Sequence, residues 1–135
     1  MRSVNYLGVL ILFLGFSIVS CKKDSPGIPD NIVTYDVEYR IVPASIYITK
    51  VTYINEQGVN MFINDISQFS SGGKRITVST IPFTAKLVTE ANNTTTAPLS
   101  YSLSISVDGQ VKNQVTANIP AMNSSTVTQV EYTIK

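Results

Sequence analysis

Few residues in this sequence are of the types that do chemistry in proteins. The 135 residues include no histidine and a single cysteine, Cys21. Histidine is the commonest general base and metal ligand, and a cysteine thiolate is a strong nucleophile and a soft metal ligand. Serines are numerous, but none lies in a Gly-x-Ser-x-Gly nucleophile elbow. The sequence therefore predicts a protein that is not an enzyme and holds no cofactor and no metal ion.

Cys21 ends an apolar N-terminal segment with the order Ile18-Val19-Ser20-Cys21. The apolar stretch Tyr6–Val19 follows Arg2 and is 14 residues long. It is shorter than the roughly 20 residues that a membrane-spanning helix needs, and it has the length of a signal-peptide core. The order of residues resembles the lipobox of bacterial lipoproteins, which implies a diacylglyceryl, usually N-acylated, Cys21. The alternative is an ordinary signal peptide that contains a cysteine.

This interpretation divides the chain into three parts. Residues 1–20 are the predicted signal peptide, and residues 21–31 are the lipidated cysteine and a flexible tether with two prolines and a glycine. Residues 32–135 are the predicted folded domain. We expect a location in the cell envelope, lipid-anchored at the outer membrane, with the leaflet undetermined. Removal of Arg2 with the leader leaves 9 basic and 9 acidic residues, so no basic surface is expected to bind nucleic acid.

From Val33 onward, apolar and polar residues alternate with a period of two, which is typical of strands with one buried face. The clearest strand is Leu99–Val107, which is followed by an Asp108-Gly109 hairpin turn. Ser45–Ile54 is predicted as a strand with Ile46 and Ile48 on one face, and the opposite face is formed by Tyr47, Val51 and Tyr53. The remaining predicted strands cover residues 33–41, 59–66, 75–81, 83–87, 110–119 and 130–134. The expected fold is all-β, a single antiparallel Ig-like β-sandwich of about seven to eight strands without a helix.

Three polar groups are candidate sites with ordinary structural alternatives. Asp36 and Glu38 are two carboxylates on one strand face, but Arg40 follows on that face and favours a charge-balanced, solvated strand over a Ca²⁺ site. Lys74-Arg75 beside Gly72-Gly73 could bind an anion, although a plain hairpin loop is favoured. Three segments match the glycosylation pattern and are expected to be turn residues, namely 92–94, 93–95 and 123–125.

Tyrosines are the other candidate contact residues. Tyr47 and Tyr53 are six residues apart on one predicted face, so we single them out for contact with a ligand or a partner. A wider sugar-stacking platform is less favoured, because most of its members lie on predicted core faces and the chain has no tryptophan. The tyrosines of that platform are Tyr35, Tyr39, Tyr47, Tyr53 and Tyr101.

Several segments resemble small accessory proteins of the mycobacterial membrane protein small (MmpS-like) type. The most specific is the Ile105-Ser106-Val107-Asp108-Gly109-Gln110-Val111 hairpin, and the others are residues 33–39, 48–53 and 83–87. The family's Leu-Pro-Trp segment, internal cysteines and transmembrane anchor have no counterpart here. The resemblance implies a β-sandwich that assists a resistance-nodulation-division exporter.

Together these features predict a lipid-anchored, non-enzymatic envelope lipoprotein that binds a protein partner. The resemblance adds an accessory role in an export or transport complex. The alternative is a surface module that binds a glycan or another small ligand. The sequence leaves the oligomeric state open.

Overall fold

A computed structural model describes residues 32–70 and 72–135. Cys21 and the predicted signal peptide and tether lie outside these residues. The described chain contains eight strands and one helical turn, α1 (Ser67–Ser70). The strands are β1 (Tyr35–Val42), β2 (Ile48–Ile54), β3 (Asn60–Ile63), β4 (Lys74–Val78), β5 (Phe83–Asn93), β6 (Leu99–Val107), β7 (Gln110–Ile119) and β8 (Ser124–Ile134).

The eight strands form two antiparallel four-stranded sheets. Sheet I has the order β4-β1-β6-β7, and sheet II has the order β3-β2-β5-β8. Only the β2–β3 and β6–β7 connections stay within one sheet, so the chain crosses between the sheets five times. The predicted all-β antiparallel sandwich is confirmed.

The core lies between the sheets and is built from the apolar residues of each alternating pattern. In β6, the four apolar side chains from Tyr101 to Val107 are buried, whereas Ser102 and Ser104 point outward. Two half-apolar sheets bury these faces against each other, at roughly 25 cal/mol for each Å² removed from water. The fully buried side chains include Val37, Tyr39, Val51, Val78, Leu87, Leu103, Ile105 and Ile119.

The second strand differs from its prediction. Ile48 is buried together with Val51 and Tyr53, whereas Ile46 lies before the strand in a turn and is exposed. The reason is a register shift between Ile48 and Lys50 where β2 pairs with β5. An irregularity of this kind inserts a residue and exchanges the faces of the strand beyond it. The strict two-residue period therefore assigned Ile48 to the wrong face.

Three other segments also differ from prediction. β3 ends at Ile63, and α1 follows it and buries Phe69. β5 continues to Asn93, beyond its predicted end at residue 87. Thr89 and Asn93 occupy core positions in the added part of the strand, but their polar side chains do not indicate burial in the sequence. β8 begins at Ser124, within the predicted turn 120–125, and pairs with β5 along its full length.

The two flanks of the sandwich differ. On one flank the edge strands β7 and β8 approach each other, and the Asn113 side-chain amide donates to the Glu131 carbonyl at 2.8 Å. On the other flank the edge strands are β3 and β4. There, Tyr53 packs edge-on against Phe69 at 6.5 Å between ring centres, and the Lys74 ammonium lies 5.8 Å from the centre of the Tyr53 ring.

Candidate functional site

The described chain enters the sandwich at Tyr35 and runs along β1 away from that point. The connection after Val42 therefore lies at the opposite end, together with the connections that leave β5 and β7. We call this surface the loop end and define it as residues 43–47, 94–98 and 120–123. Among residues 32–70 and 72–135, it carries the two most exposed large apolar side chains.

A buried asparagine holds two segments of the loop end together. The Asn93 amide nitrogen donates to the carbonyls of Ala97 at 2.8 Å and Pro120 at 3.0 Å. Its amide oxygen accepts from the Thr95 backbone N–H at 2.9 Å and the Thr95 hydroxyl at 2.7 Å. Asn93 has no solvent exposure, so these bonds satisfy a polar group that would otherwise be costly to bury.

Backbone hydrogen bonds connect the loop end further. The Asn92 N–H donates to the Tyr47 carbonyl at 2.8 Å, and the Met122 N–H donates to the Thr95 carbonyl at 2.9 Å. The 43–47 connection is thus tied to the end of β5, and the 120–123 turn is tied to the 94–98 loop. These bonds fix the backbones on which the exposed side chains stand.

Two large apolar side chains stand on this fixed backbone. Ile46 is 84% exposed and Met122 is 73% exposed, and Val42 at the end of β1 is also exposed. Met122 adopts a φ of 65° and Asn123 a φ of 57°, so both central residues of the β7–β8 turn are left-handed. Left-handed conformations are uncommon in non-glycine residues, and this one turns Met122 outward at the tip.

Tyr47 and Tyr53 are not brought together as one contact surface. Tyr47 belongs to the loop end and is half-buried, whereas Tyr53 is 5% exposed in β2. The Tyr53 ring lies 5.6 Å from that of Tyr39 and contacts Phe69 on its other side. The role of both residues in binding stays a prediction, and Tyr47 is the more accessible of the two.

The five tyrosines do not form a sugar-stacking platform. Tyr39, Tyr53 and Tyr101 are buried in the core, and Tyr35 and Tyr47 are half-buried. The Tyr39 hydroxyl donates to the Ile54 carbonyl at 2.7 Å, and the Tyr101 hydroxyl is 2.8 Å from the Thr89 hydroxyl. The buried hydroxyls of Tyr39 and Tyr101 therefore each have a polar partner inside the sandwich, as buried tyrosines require.

The carboxylates of β1 take part in ordinary surface interactions. Glu38 Oε1 lies 2.7 Å from Arg40 Nε and 3.5 Å from an Arg75 terminal nitrogen. Asp36 accepts a hydrogen bond from the Thr77 hydroxyl at 3.0 Å. Within the described part of the chain, no three carboxylates are close enough together to hold a metal ion. The two ion pairs of Glu38 agree with the charge-balanced strand face that Arg40 indicates in the sequence.

Lys74 and Arg75 also have partners within the protein. Lys74 lies over Tyr53, and Arg75 approaches Glu38. The hairpin predicted here is wrong, because β3 belongs to sheet II and β4 to sheet I. Gly73, with a φ of 90°, lies so close to the Tyr39 carbonyl that a Cβ atom would clash with it.

The three glycosylation-like segments lie at the loop end. Asn93 is buried and hydrogen-bonded within the protein, while Asn92 and Asn123 are exposed. The expected turn roles hold only for Thr94, Thr95 and Asn123, because Asn92 and Asn93 end β5 and Ser124 and Ser125 begin β8. The sequence alone does not reveal the structural role of Asn93, because its neighbours Asn92 and Thr94 are exposed residues of the same polar character.

The comparisons with known proteins add no family. No family model matches this chain, and no curated protein matches it. The resemblances to bacterial lipoproteins and to the MmpS-like family therefore stay predictions from the residues that carry them. Among residues 32–70 and 72–135, no helix has the length and apolar character needed to cross a membrane.

Proposed function

We propose that this protein is a lipid-anchored, non-enzymatic component of the bacterial cell envelope that binds a protein partner through its loop end. The anchor is Cys21, on the strength of the Ile18-Val19-Ser20-Cys21 order. The observation that carries the binding role is the exposure of Ile46 and Met122 on loops whose backbones are fixed by hydrogen bonds.

Burial of such side chains against a partner is favourable in two ways. Removing a large aliphatic or thioether side chain from water contributes about 1.5–3 kcal/mol when burial is complete. Loops that already hold their bound backbone conformation lose little conformational entropy on association. Methionine also adapts its shape to a partner surface, and the half-buried Tyr47 adds an amphipathic aromatic side chain to the loop end.

The MmpS-like resemblance supports an export or transport complex of the envelope as the partner. A sandwich is a scaffold that serves many functions, so this part of the proposal depends on the matched segments alone. The protein would then act as an accessory subunit, with its loop end directed at the transporter.

Site-specific photo-crosslinking in the native host tests this function. A photoreactive residue at Ile46 is expected to give a discrete adduct with one envelope protein, identified by mass spectrometry. The matched control is Val59, which is also an exposed aliphatic residue but lies in the β2–β3 turn at the other end of the sandwich. Ile46→Asp should abolish the adduct formed from a photoreactive residue at Met122, and Val59→Asp should preserve it. The same adducts from positions 46 and 59, or none from 46, would contradict the proposal.

Binding of a glycan is the second candidate function. The burial of Tyr39, Tyr53 and Tyr101 removes the aromatic platform on which a neutral sugar would stack. A polar depression on the outer face of sheet I favours this candidate in a different form.

A further inference from the structure

The outer face of β6 carries only serines. Ser100, Ser102, Ser104 and Ser106 alternate with the buried residues of the strand, so that all four point away from the core. Serine is the smallest hydroxyl side chain, and the flanking strands carry longer ones. Glu38, Arg40 and Val42 of β1 lie directly opposite three of the serines on one side. Val111, Gln114 and Thr116 of β7 lie opposite them on the other side.

This difference in side-chain length produces a depression that we call the serine trough. Its volume is about 520 Å³, which is the size of a small-ligand site. The floor is formed by Ser102, Ser104 and Ser106, and the walls are formed by Glu38, Arg40, Val42, Arg75, Gly109, Val111 and Gln114. Hydroxyl, carboxylate, guanidinium and amide groups therefore converge on one open space.

Polar groups in the trough remain available to a ligand. The Ser102 hydroxyl is 3.2 Å from that of Thr116, but the hydroxyls of Ser104 and Ser106 have no hydrogen-bond partner within the described part of the chain. Ser106 is only 5% exposed, which places its hydroxyl at the bottom of the floor. Floor hydroxyls can donate to and accept from the hydroxyls of a bound molecule.

The charges of the trough favour an anion. Arg40 and Arg75 share the single carboxylate of Glu38, so the three groups carry a net charge of +1. Arg40 uses its Nε for Glu38, and both of its terminal NH₂ groups are left for a ligand. Asp36 on the same face is hydrogen-bonded to Thr77 and does not line the trough. Guanidinium groups bind carboxylates through paired N–H donors, which sets both position and orientation.

The geometry points to an acidic saccharide as the ligand of the serine trough, a sugar that carries both a carboxylate and free hydroxyls. Its carboxylate binds Arg40 and Arg75, and its hydroxyls bind Ser104, Ser106 and the remaining oxygen of Glu38. A neutral sugar leaves the net positive charge of the trough uncompensated and has no aromatic surface there. A bare inorganic anion does not use the floor. This site is separate from the loop end and does not depend on the partner-binding role.

Calorimetric titration of the full chain in neutral detergent micelles tests the site. The ligands are trigalacturonate, monomeric galacturonate, a neutral galactose trisaccharide and inorganic sulfate. We expect both galacturonates to bind, with the neutral trisaccharide and sulfate at least about tenfold weaker. The trisaccharide lacks the charge-assisted hydrogen bonds to the guanidinium groups, and sulfate does not use the floor hydroxyls. Tighter binding of the trimer indicates a polysaccharide as the source of the acidic sugar, and equal binding per sugar unit indicates a free one.

Two serine variants provide a matched pair. Ser104→Val replaces a floor hydroxyl with methyl groups, and Ser100→Val makes the same change on the same face of β6 outside the trough. Valine suits a strand position, so both variants should fold. Ser104→Val should weaken galacturonate binding about tenfold, which corresponds to the loss of one hydrogen bond, and Ser100→Val should leave it unchanged. Arg75→Gln should weaken binding to a similar extent and reduce its dependence on salt.

Several outcomes would overturn the inference. Equal binding of the acidic and neutral saccharides would remove the role of the guanidinium groups. Sulfate binding equal to that of galacturonate would reduce the site to a simple anion contact. Equal effects of the two serine variants would place the ligand elsewhere on the protein.

Discussion

At the residue scale, Asn93 connects more of the loop end than any other side chain described. Its amide bonds to Ala97, Pro120 and both donors of Thr95, and its nitrogen also approaches the Ile119 carbonyl at 3.4 Å. The residue therefore joins the β5–β6 connection to the end of β7. Its replacement leaves backbone carbonyls without donors in a site that excludes water.

Asn93→Ala should destabilise the protein by about 1–3 kcal/mol, the cost of leaving buried polar groups unpaired. Urea unfolding of the variant measures this loss, and hydrogen exchange of the Thr95 amide should become faster. Asn92→Ala is the matched control, because Asn92 is exposed and its change should stay within about 0.5 kcal/mol. Equal stabilities of the two variants would show that the Asn93 bonds do not hold the loops.

Tyr39 should make the free energy of unfolding depend on pH in the alkaline range. Burial raises the pKa of its phenol above the ordinary value near 10. Because the folded-state pKa lies above that of the unfolded chain, the stabilisation is complete below about pH 10 and is lost as the pH rises further. The free energy of unfolding should therefore fall as the pH rises above about 10, as urea titrations at a series of alkaline pH values would show.

Tyr39→Phe separates this effect from the other tyrosines. The variant should lose about 1 kcal/mol at neutral pH, because the hydrogen bond to the Ile54 carbonyl is removed. It should also show a smaller fall in stability above pH 10 than the unchanged protein. Tyr35→Phe, at a half-buried position, should retain the full decrease. A decrease of the same size in Tyr39→Phe would exclude Tyr39 as its source.

At the element scale, two glycines with positive φ support different connections. Gly109 completes the β6–β7 turn with a φ of 77°, and no heavy atom other than those of Gly109 and its two chain neighbours lies within 4 Å of where its Cβ would stand. Gly73 precedes β4 with a φ of 90° and packs directly against the Tyr39 carbonyl. A side chain at either position would be strained by the positive φ, but only at Gly73 would its Cβ also clash with a neighbouring atom.

Gly109→Ala should thus cost about 1–2 kcal/mol, the usual penalty for a side chain in the left-handed region. Gly73→Ala should cost more, because β4 must also move away from β1. Thermal unfolding of the two variants side by side measures the difference. An equal decrease in melting temperature would mean that the Gly73 contact relaxes without cost.

The elements also show what the sequence reveals about the fold. β6, the Asp108-Gly109 turn and the buried face of β1 follow from two-residue alternation and turn chemistry, and these predictions are confirmed. The irregularity in β2 and the polar end of β5 cannot be predicted from these patterns, because both depend on the pairing of one strand with another. Ile48 changes face through its partner strand, and Asn93 is buried because distant carbonyls surround it.

The candidate sites also depend partly on local sequence and partly on contacts between distant strands. The alternating serines are visible in the sequence, yet the serine trough forms only when β1 and β7 flank β6. Ile46 has the residue type of a core position, and only the turn before β2 places it in solvent. Contacts between residues distant in sequence thus decide which side chains can meet a ligand.

At the scale of the whole molecule, the proposed lipidation of Cys21 would decide where the sandwich acts. Stable membrane attachment needs two or more acyl chains. The lipobox resemblance implies that Cys21 carries them. Cys21→Ser should move the protein from the membrane fraction to the wash, or leave its leader uncleaved. Fractionation without detergent and mass spectrometry of the N-terminus measure both. Retention of Cys21→Ser in washed membranes would contradict the anchor.

The flank formed by β3 and β4 has a consequence for how copies of the protein tolerate crowding. Attachment to a bilayer would concentrate the chains in two dimensions, where uncovered sheet edges can join into fibrils. β3 offers only four residues to such pairing, and β4 carries Lys74 and Arg75 at its start. Short length limits pairing at one edge and like charge disfavours it at the other, so this flank offers neighbouring copies little surface for edge-to-edge pairing.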